Sequence, residues 1–393
     1  MVILDEPYAS PQLISWLAAT GHPVLDNAFA RGAAGGAALN LVGAKRAIAA
    51  IEAGERLYTN SENALAWISQ HVSNEGLLRA ISLFKDKVAM REMLQASDPG
   101  FFFCSATLEQ LHAIDFSELK DQLPFIVKPA RGFCSMGVYA ITCEAEWASA
   151  LANIDAEVAG WADKYPDAVV AVQDFILEGY ISGQEFALDA FFDDEGRAHV
   201  LNVLRHDFAN ADDTSDRMYV TSADIVRTHA GKFEAWLSEV NGSVGARNVP
   251  VHAELRVSED GRIRPIEFNA LRFAGLGGTD IAEYAFGFRS FEAFLTGTPP
   301  DWEAAFAHAG DDVFVMSLLN VPQDADDDAR LDYEALAARF SQVLELRRFD
   351  AARLGCHGFL FLRASGERGL RERDFLLHSD LREFLVSGNG ADR

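Results

Sequence analysis

Glu254 and Glu267 stand thirteen residues apart in VPVHAELRVSEDGRIRPIEFN, on either side of an Asp260-Gly261 pair. Asp-Gly between two strand-like runs is a strong hairpin signal. A two-residue turn there pairs Glu259 with Arg262 and brings Glu254 opposite Glu267. Period-two alternation puts Asn269 on the face of Glu267, and Val251, Ala253, Leu255, Val257, Ile266 and Phe268 on the other. Carboxylates directly opposed repel each other unless something positive lies between them. With an amide oxygen they form a hard ligand set suited to Mg²⁺, which commonly completes its shell with phosphate oxygens. A solvated hairpin face fits the same pattern, and a one-residue change of turn would send the two carboxylates to opposite faces.

A phosphate site is the natural complement, and PFIVKPARGFCSMGVYAI offers one. An apolar strand delivers Lys128, a loop containing Gly132, Ser135 and Gly137 follows, and a second strand resumes at Val138. Small residues let backbone N–H groups approach an anion, and a lysine at the loop entrance adds a point charge. Because a strand follows, the loop is a hairpin flap and not a helix-start P-loop; a plain glycine turn is the alternative. Phe133 two residues before Ser135 rules out a GxSxG elbow.

The elements that must carry these residues follow from periodicity. VILD, PQLISWLAATG with its Gly stop, HPVLD and ENALAWISQHV alternate strands and helices, an α/β opening over residues 1–84. Gly32 to Arg46 lacks the order of a P-loop or a dinucleotide turn and reads as a small-residue loop and helix start. KDKVAMREMLQ, Lys85 to Gln95, reads as one helix. PFIVKP, GVYAIT, VVAVQDFI, EFALDAFF, HVLNVL, VPVHAELRV and RIRPIEF read as strands of an α+β region over 85–300. A C-terminal α/β lobe, 301–393, contains helices, the strand DVFVMSLLNV and the acidic loop Asp324 to Arg330.

Composition bounds the chemistry. The chain has 393 residues, 49% hydrophobic and 24% charged, with 59 acids against 34 bases for a net charge of −25. That is a folded globular composition whose mean field repels nucleic acid and anionic lipid, so neither is an expected partner. Cys104, Cys134, Cys143 and Cys356 form no CxxC pair, and no apolar run is long enough to span a bilayer. A cytoplasmic location is expected. His206-Asp207 lacks the order of a kinase catalytic loop, the histidines show no HExxH pair, and Cys134 has no partner base in the sequence.

Taken in order, these pieces resemble the ATP-grasp superfamily, in particular its carboxylate–amine ligases. The matching pieces are Asp86-Lys87, the KPxxGxxSxGV loop from Lys128 to Val138, the hinge-like QDFI from Gln173 to Ile176 with Gly183-x-Glu185, and Glu254 followed by Glu267-x-Asn269. The resemblance implies an ATP-grasp fold with an N-terminal α/β domain, and an enzyme that joins a carboxylate to an amine through an acyl phosphate. ATP and Mg²⁺, with Mn²⁺ as a substitute, are the implied cofactors. Small-molecule acids and amines, amino acids among them, are the implied partners, and a homodimer is compatible. It implies that Lys87 and Lys128 contact phosphates beneath the backbone of Gly132, Ser135, Met136 and Gly137. Gln173 and the backbone of Phe175 and Ile176 would meet adenine, Glu185 the ribose, and Glu254, Glu267 and Asn269 the metal.

Three departures matter. Gln173 stands where many members have Glu, and as an amide it still accepts a hydrogen bond. The interval to Gly183 is long, so Glu178 competes with Glu185 for the ribose. Arg272 follows Asn269 one residue later than in most members; its expected catalytic role is to hold the acid or acyl phosphate, and its alternative is an ion pair with Asp280 or Glu283. A non-catalytic ATP-binding scaffold is the competing reading, against which the retained lysines and metal set argue.

Overall fold

The computed structural model describes residues 1–132, 137–164, 173–210, 213, 215–322 and 329–387. They form two compact units. The first holds Met1–Gln184, Ala190–His199 and Glu234–Leu276; the second holds Glu185–Asp189, Val200–Phe233 and Gly277–Arg393.

The first unit opens with a parallel sheet in the order Asn40–Val42, Pro23–Leu25, Val2–Ile3, Tyr58–Thr59. Helix Pro11–Thr20 between the first two strands starts at Ser10, whose hydroxyl accepts from the Leu13 N–H, and stops at Gly21 with φ 64°. Gly32 to Arg46 is more structured than its composition suggests. It ends one helix, contributes Asn40–Val42 to the sheet, and starts the helix Ala44–Glu52.

A four-stranded sheet follows, ordered Phe103–Thr107, Asp174–Gly179, Phe125–Pro129, Tyr139–Ile141, with antiparallel neighbours throughout. Phe125, Val127, Phe175 and Leu177 bury one face of it with Trp147 and Ile154 of the helix Glu144–Lys164. Burial of each large side chain is worth roughly 1.5–3 kcal/mol, enough to make this sheet a rigid base for Lys128 on its other face.

The expected helix over 85–95 is broken. One helix ends at Lys85 and another runs Lys87–Leu94, because Asp86 adopts an extended conformation and accepts from Val88 N–H and Ala89 N–H as the cap of the second. Capping competes with helix continuation at this residue type. The break leaves Lys85 and Lys87 on two different helices, and both are buried.

The hairpin Val249–Val257/Ile263–Ala270 pairs Glu254 with Glu267 as expected, by an unexpected route. The turn is one residue longer: Ser258 N–H donates to Arg262 O, and Val257 pairs with Ile263. A bulge at Ile266 restores the register, since Leu255 pairs with Pro265 while Glu254 pairs with Glu267. Ile266 therefore leaves the regular alternation and is half-buried, not a member of the apolar face.

In the second unit, the strand that enters it at Val200 and ends at Asp207, then Met218–Thr221, Val313–Asn320, Cys356–Ala364 and Val343–Arg348, pair antiparallel in that order. The C-terminal lobe is thus richer in strands than the helices and single strand expected of it. Gly358, at φ 148°, is required there, since a Cβ would lie 1.8 Å from Arg347 O. No helix among the described residues is long and apolar enough to cross a membrane.

Candidate active site

The first unit gathers buried Lys87, Arg91, Lys128 and Glu178 and half-buried Glu267 into one ionic cluster. Lys87 starts its helix and reaches Glu267 Oε2 at 2.8 Å. Its own N–H donates to Ala130 O, just past the strand of Lys128. Lys128 pairs with Glu178 Oε1 at 2.7 Å, and Arg91 Nε takes the other oxygen of Glu178 at 2.6 Å. The hairpin bulge is part of the cluster: Arg91 Nη2 donates to Pro265 O at 2.7 Å and Lys128 Nζ to Ile266 O at 3.5 Å.

These five side chains hold three cations and two carboxylates. Burial pulls the Lys87 ammonium down, but Glu267, with Glu62 and Glu178 beyond it, more than reverses that and leaves Lys87 above the ordinary lysine value. Lys128 goes the other way. Burial lowers it, Glu178 offsets only part, and Lys87 and Arg91 push further down. For Glu178, burial is outweighed by Lys128 and Arg91, which bring it down to about 2. Lys128 thus sits among like charges in a chain whose total is −25, a local field of the sign that attracts a polyphosphate.

The carboxylates of the hairpin are not left to repel each other. Glu267 accepts from Lys87 and, at 3.0 Å, from Asn269 Nδ2, and the lysines hold it below the usual carboxylate range against the cost of burial. Glu254 is partly exposed, with His252 Nε2 at 3.7 Å. Among the described residues no group of three or more His, Cys, Asp or Glu side chains is arranged to hold a metal. Glu254, Glu267 and the Asn269 amide oxygen are the hard donors available, a partial shell of the kind Mg²⁺ accepts when phosphates supply the rest.

Arg272 is brought to a neighbouring cluster. Leu271 adopts φ 66°, with its N–H on Pro250 O and its carbonyl held by both the N–H and hydroxyl of Thr59. A left-handed backbone at a buried leucine is costly and persists only where its surroundings impose it. That turn sends Arg272 to Glu62, whose Oε1 accepts from Nη2 at 2.6 Å and Nε at 3.1 Å. Glu62 also accepts from Lys85 Nζ, which in turn donates to Gly132 O at 3.2 Å. The ion-pair alternative named the wrong acids: Asp280 accepts from Arg347 and Glu283 from Arg289.

Other expectations are redistributed. The backbone of Phe175 and Ile176 cannot serve an adenine ring, because their strand is paired on both sides, Phe175 with Ala106 and Pro129, Ile176 with Ser105 and Lys128. The strand ends at Gly179, and the connection that follows is Tyr180–Gly183. Gly183 has φ 115°, and a Cβ would stand 2.1 Å from Val257 O, so this connection lies directly on the hairpin. Gln173 is exposed, its carbonyl accepting from Leu108 N–H. Glu178 is no ribose ligand in this arrangement, since both its oxygens are engaged with cations. Glu185 lies in the second unit, 2.7 Å from His206 Nδ1. Gly132 and Gly137 are buried at the two ends of the glycine loop; Ser135, Met136 and Cys134 lie outside the described residues.

Sequence reasoning missed Lys85, Glu62 and Arg91. A helix C-terminus at Lys85 was readable from the capping preference of Asp86. Glu62 carries no local signal.

Residues 121–280 match the ATP-grasp domain model. Among solved structures, the L-amino acid ligase from Bacillus licheniformis superposes with a TM-score of 0.67 at 15% identity, over 98% of this chain and 97% of that one. The N5-carboxyaminoimidazole ribonucleotide synthetase from Thermus thermophilus gives 0.61 at 18%, over 97% and 98%. The biotin carboxylase from Campylobacter jejuni, in a β,γ-ATP complex, gives 0.60 at 12%, over 98% and 91%. No curated protein matches. At these identities the likeness is one of fold.

Proposed function

From the premise that the chain carries an ATP-grasp domain and has the ATP-grasp fold, we propose that it is an ATP-dependent carboxylate–amine ligase. The acid's carboxylate oxygen bonds to the γ-phosphorus as the bond to ADP breaks. The amine nitrogen then attacks the acyl carbon, phosphate leaves, and the nitrogen gives up a proton to solvent. The products are an amide or peptide, ADP and phosphate. Such phosphoryl transfer is carried by positioning and charge neutralisation, which is why no Ser-His-Asp set is needed.

The observation that carries this reading is Lys128, buried beside Lys87 and Arg91 with one shared carboxylate between it and Arg91. A polyphosphate relieves that crowding. Lys87 exchanges Glu267 for a phosphate oxygen, which opens a carboxylate oxygen on the hairpin face. Glu254, Glu267 and Asn269 would hold Mg²⁺, which when bound supplies charge neutralisation at the phosphates. Tyr180–Gly183, the first backbone beyond the doubly paired strand, takes the adenine edge assigned earlier to Phe175 and Ile176. Arg272 binds the acid through its guanidinium fork.

The test is ADP and phosphate release by the purified protein with Mg²⁺, ATP and pooled L-amino acids, followed by mass spectrometry. A new amide mass, formed with ADP in equal amounts, is expected. ATP binding without turnover against amino acid, dicarboxylic acid and polyamine pools would favour the non-catalytic scaffold.

A further inference from the structure

Among the described residues, Glu62 is the carboxylate that touches both the cation assigned to the acid and the support of the glycine loop. Its side chain is 6% exposed and lies just ahead of the helix Ala64–His71, far in sequence from everything it binds. Two of the five N–H donors of Arg272, on Nε and Nη2, point at Glu62 Oε1, and Nη1 donates to Phe273 O at 2.9 Å. A guanidinium is planar, so these contacts fix its rotation as well as its position. On the other oxygen, Lys85 bridges Glu62 to Gly132 O, the start of the loop expected over the phosphates. Burial disfavours the charge on Glu62, yet Lys85 and Arg272 hold it below the usual carboxylate value, so it is an anion throughout the neutral range.

We infer that Glu62 is a positioning residue that orients Arg272 toward the acid substrate and, through Lys85, ties that orientation to the base of the glycine loop. The inference rests on the ligase reading above. In this arrangement Glu62 touches no reacting atom. It sets the plane of the fork that receives the acid and makes displacement of the Gly132 carbonyl felt at Arg272. Acid recognition and the position of the Gly132 carbonyl then share one carboxylate, so a shift of Gly132 leaves Arg272 less well aimed.

The test compares Glu62→Gln, Lys85→Met and Arg272→Lys, with ADP release measured against an equimolar mixture of proteinogenic L-amino acids at saturating Mg²⁺ and ATP. Glu62→Gln keeps an acceptor but removes the charge. It is expected to raise the apparent KM for the mixture about tenfold and to change the KM for ATP less than twofold. Lys85→Met should raise both constants, because it also frees the loop base. In a Glu62→Gly variant, added formate or acetate should restore part of the lost activity by refilling the position between Arg272 and Lys85; a merely structural role gives no such rescue. If Arg272→Lys shifts the acid KM and Glu62→Gln does not, the positioning role is overturned and the ligase reading stands. If neither shifts it, the assignment of Arg272 falls and the inference falls with it. Should the mixture support no turnover, a crystal structure of Glu62→Gln decides: a rotated Arg272 on an unchanged Glu267–Leu271 backbone supports the role, and an unmoved Arg272 refutes it. Thermal melts of each variant separate these outcomes from failure to fold.

Discussion

Each unit of the molecule buries an ionic cluster, and the two are built on different principles. In the second unit, Arg347 Nη2 lies 2.7 Å from Asp280 and 2.8 Å from Glu345, while Nη1 donates to Gly277 O. Tyr284 donates its hydroxyl to the same Glu345, whose negative charge and the burial of the ring push the phenol pKa up. Every contact named there joins opposite charges or a donor to an acceptor. In the first unit, Lys128 is flanked by Lys87 and Arg91, and burial together with these two cations disfavours its protonation. A cluster that satisfies itself is a strut. One that keeps like charges together after the fold has formed presents a field that favours an anion, and perturbed groups of that kind gather at functional sites.

Breaking the first cluster should cost chemistry most. Glu267→Gln is expected to lower kcat by at least about 10³-fold, equivalent to roughly 4 kcal/mol of transition-state stabilisation. It also removes the charged partner of buried Lys87, so the ligand-free protein should melt lower than wild type, contrary to what two mutually repelling carboxylates alone would give. Turnover within tenfold of wild type would remove Glu267 from the metal set.

Breaking the second should cost stability and little else. Arg347→Met leaves Asp280, which is buried, without the guanidinium beside it, for a loss of about 3 kcal/mol or more in urea unfolding. The folded fraction should keep both Michaelis constants, and a selective rise in either would show that the strut serves the chemistry.

Protons sharpen the contrast. The carboxyl of Glu178 is held at about 2 in the folded protein, against roughly 4.3 in an unfolded chain. Its folded value is depressed, so the stabilisation is complete above the unfolded value and disappears as pH falls from about 4.3 toward 2, on the order of 3 kcal/mol in all. Carboxyl ¹³C shifts followed through acid should place its midpoint near the lower limit; a midpoint near 4.3 would dissolve the cluster as described.

Arg272→Lys is the subtler break, retaining charge and losing the fork. A cost of ~2 kcal/mol in kcat/KM for the acid is expected, with the KM for ATP nearly unchanged. Smallest of all should be the stability effect of Gly132→Ala. An added Cβ meets nothing nearer than Pro129 Cβ at 3.8 Å, an ordinary contact, so the melting temperature should stay within about a degree or two of wild type, for a change under ~0.5 kcal/mol.

What the sequence disclosed divides along the same physical line. The entrance of Lys128 into its loop and the facing of Glu254 and Glu267 beside Asn269 were legible because each belongs to a local pattern, a strand running into a glycine loop and a hairpin with a turn signal, whereas Lys87 was pointed to only by the family resemblance. Glu62 and Arg272 meet across 210 positions, and no periodicity or spacing records a partnership of that range. That Phe175 and Ile176 pair on both sides was not legible, because an apolar run shows that a strand exists and not how many neighbours it has. Asp86 was read within one helix because helical periodicity continues through it and outweighed its capping preference, and its side-chain bonds to Val88 and Ala89 mark the interruption.

The hairpin's longer turn and its bulge at Ile266 are two departures of opposite sense that cancel before Glu254 meets Glu267. They behave like a pair of frameshifts: either one alone would put the wrong side chain across from Glu254, and together they restore the reading. Length changes are ordinarily absorbed at a hairpin tip, and deletion of Glu259 would leave Asp260-Gly261 as a two-residue turn between the same Ser258 and Arg262, with Glu254 still facing Glu267. The register of the acidic pair is thus set on the strand between Arg262 and Glu267, where the one extra residue lies, and not by the length of the tip.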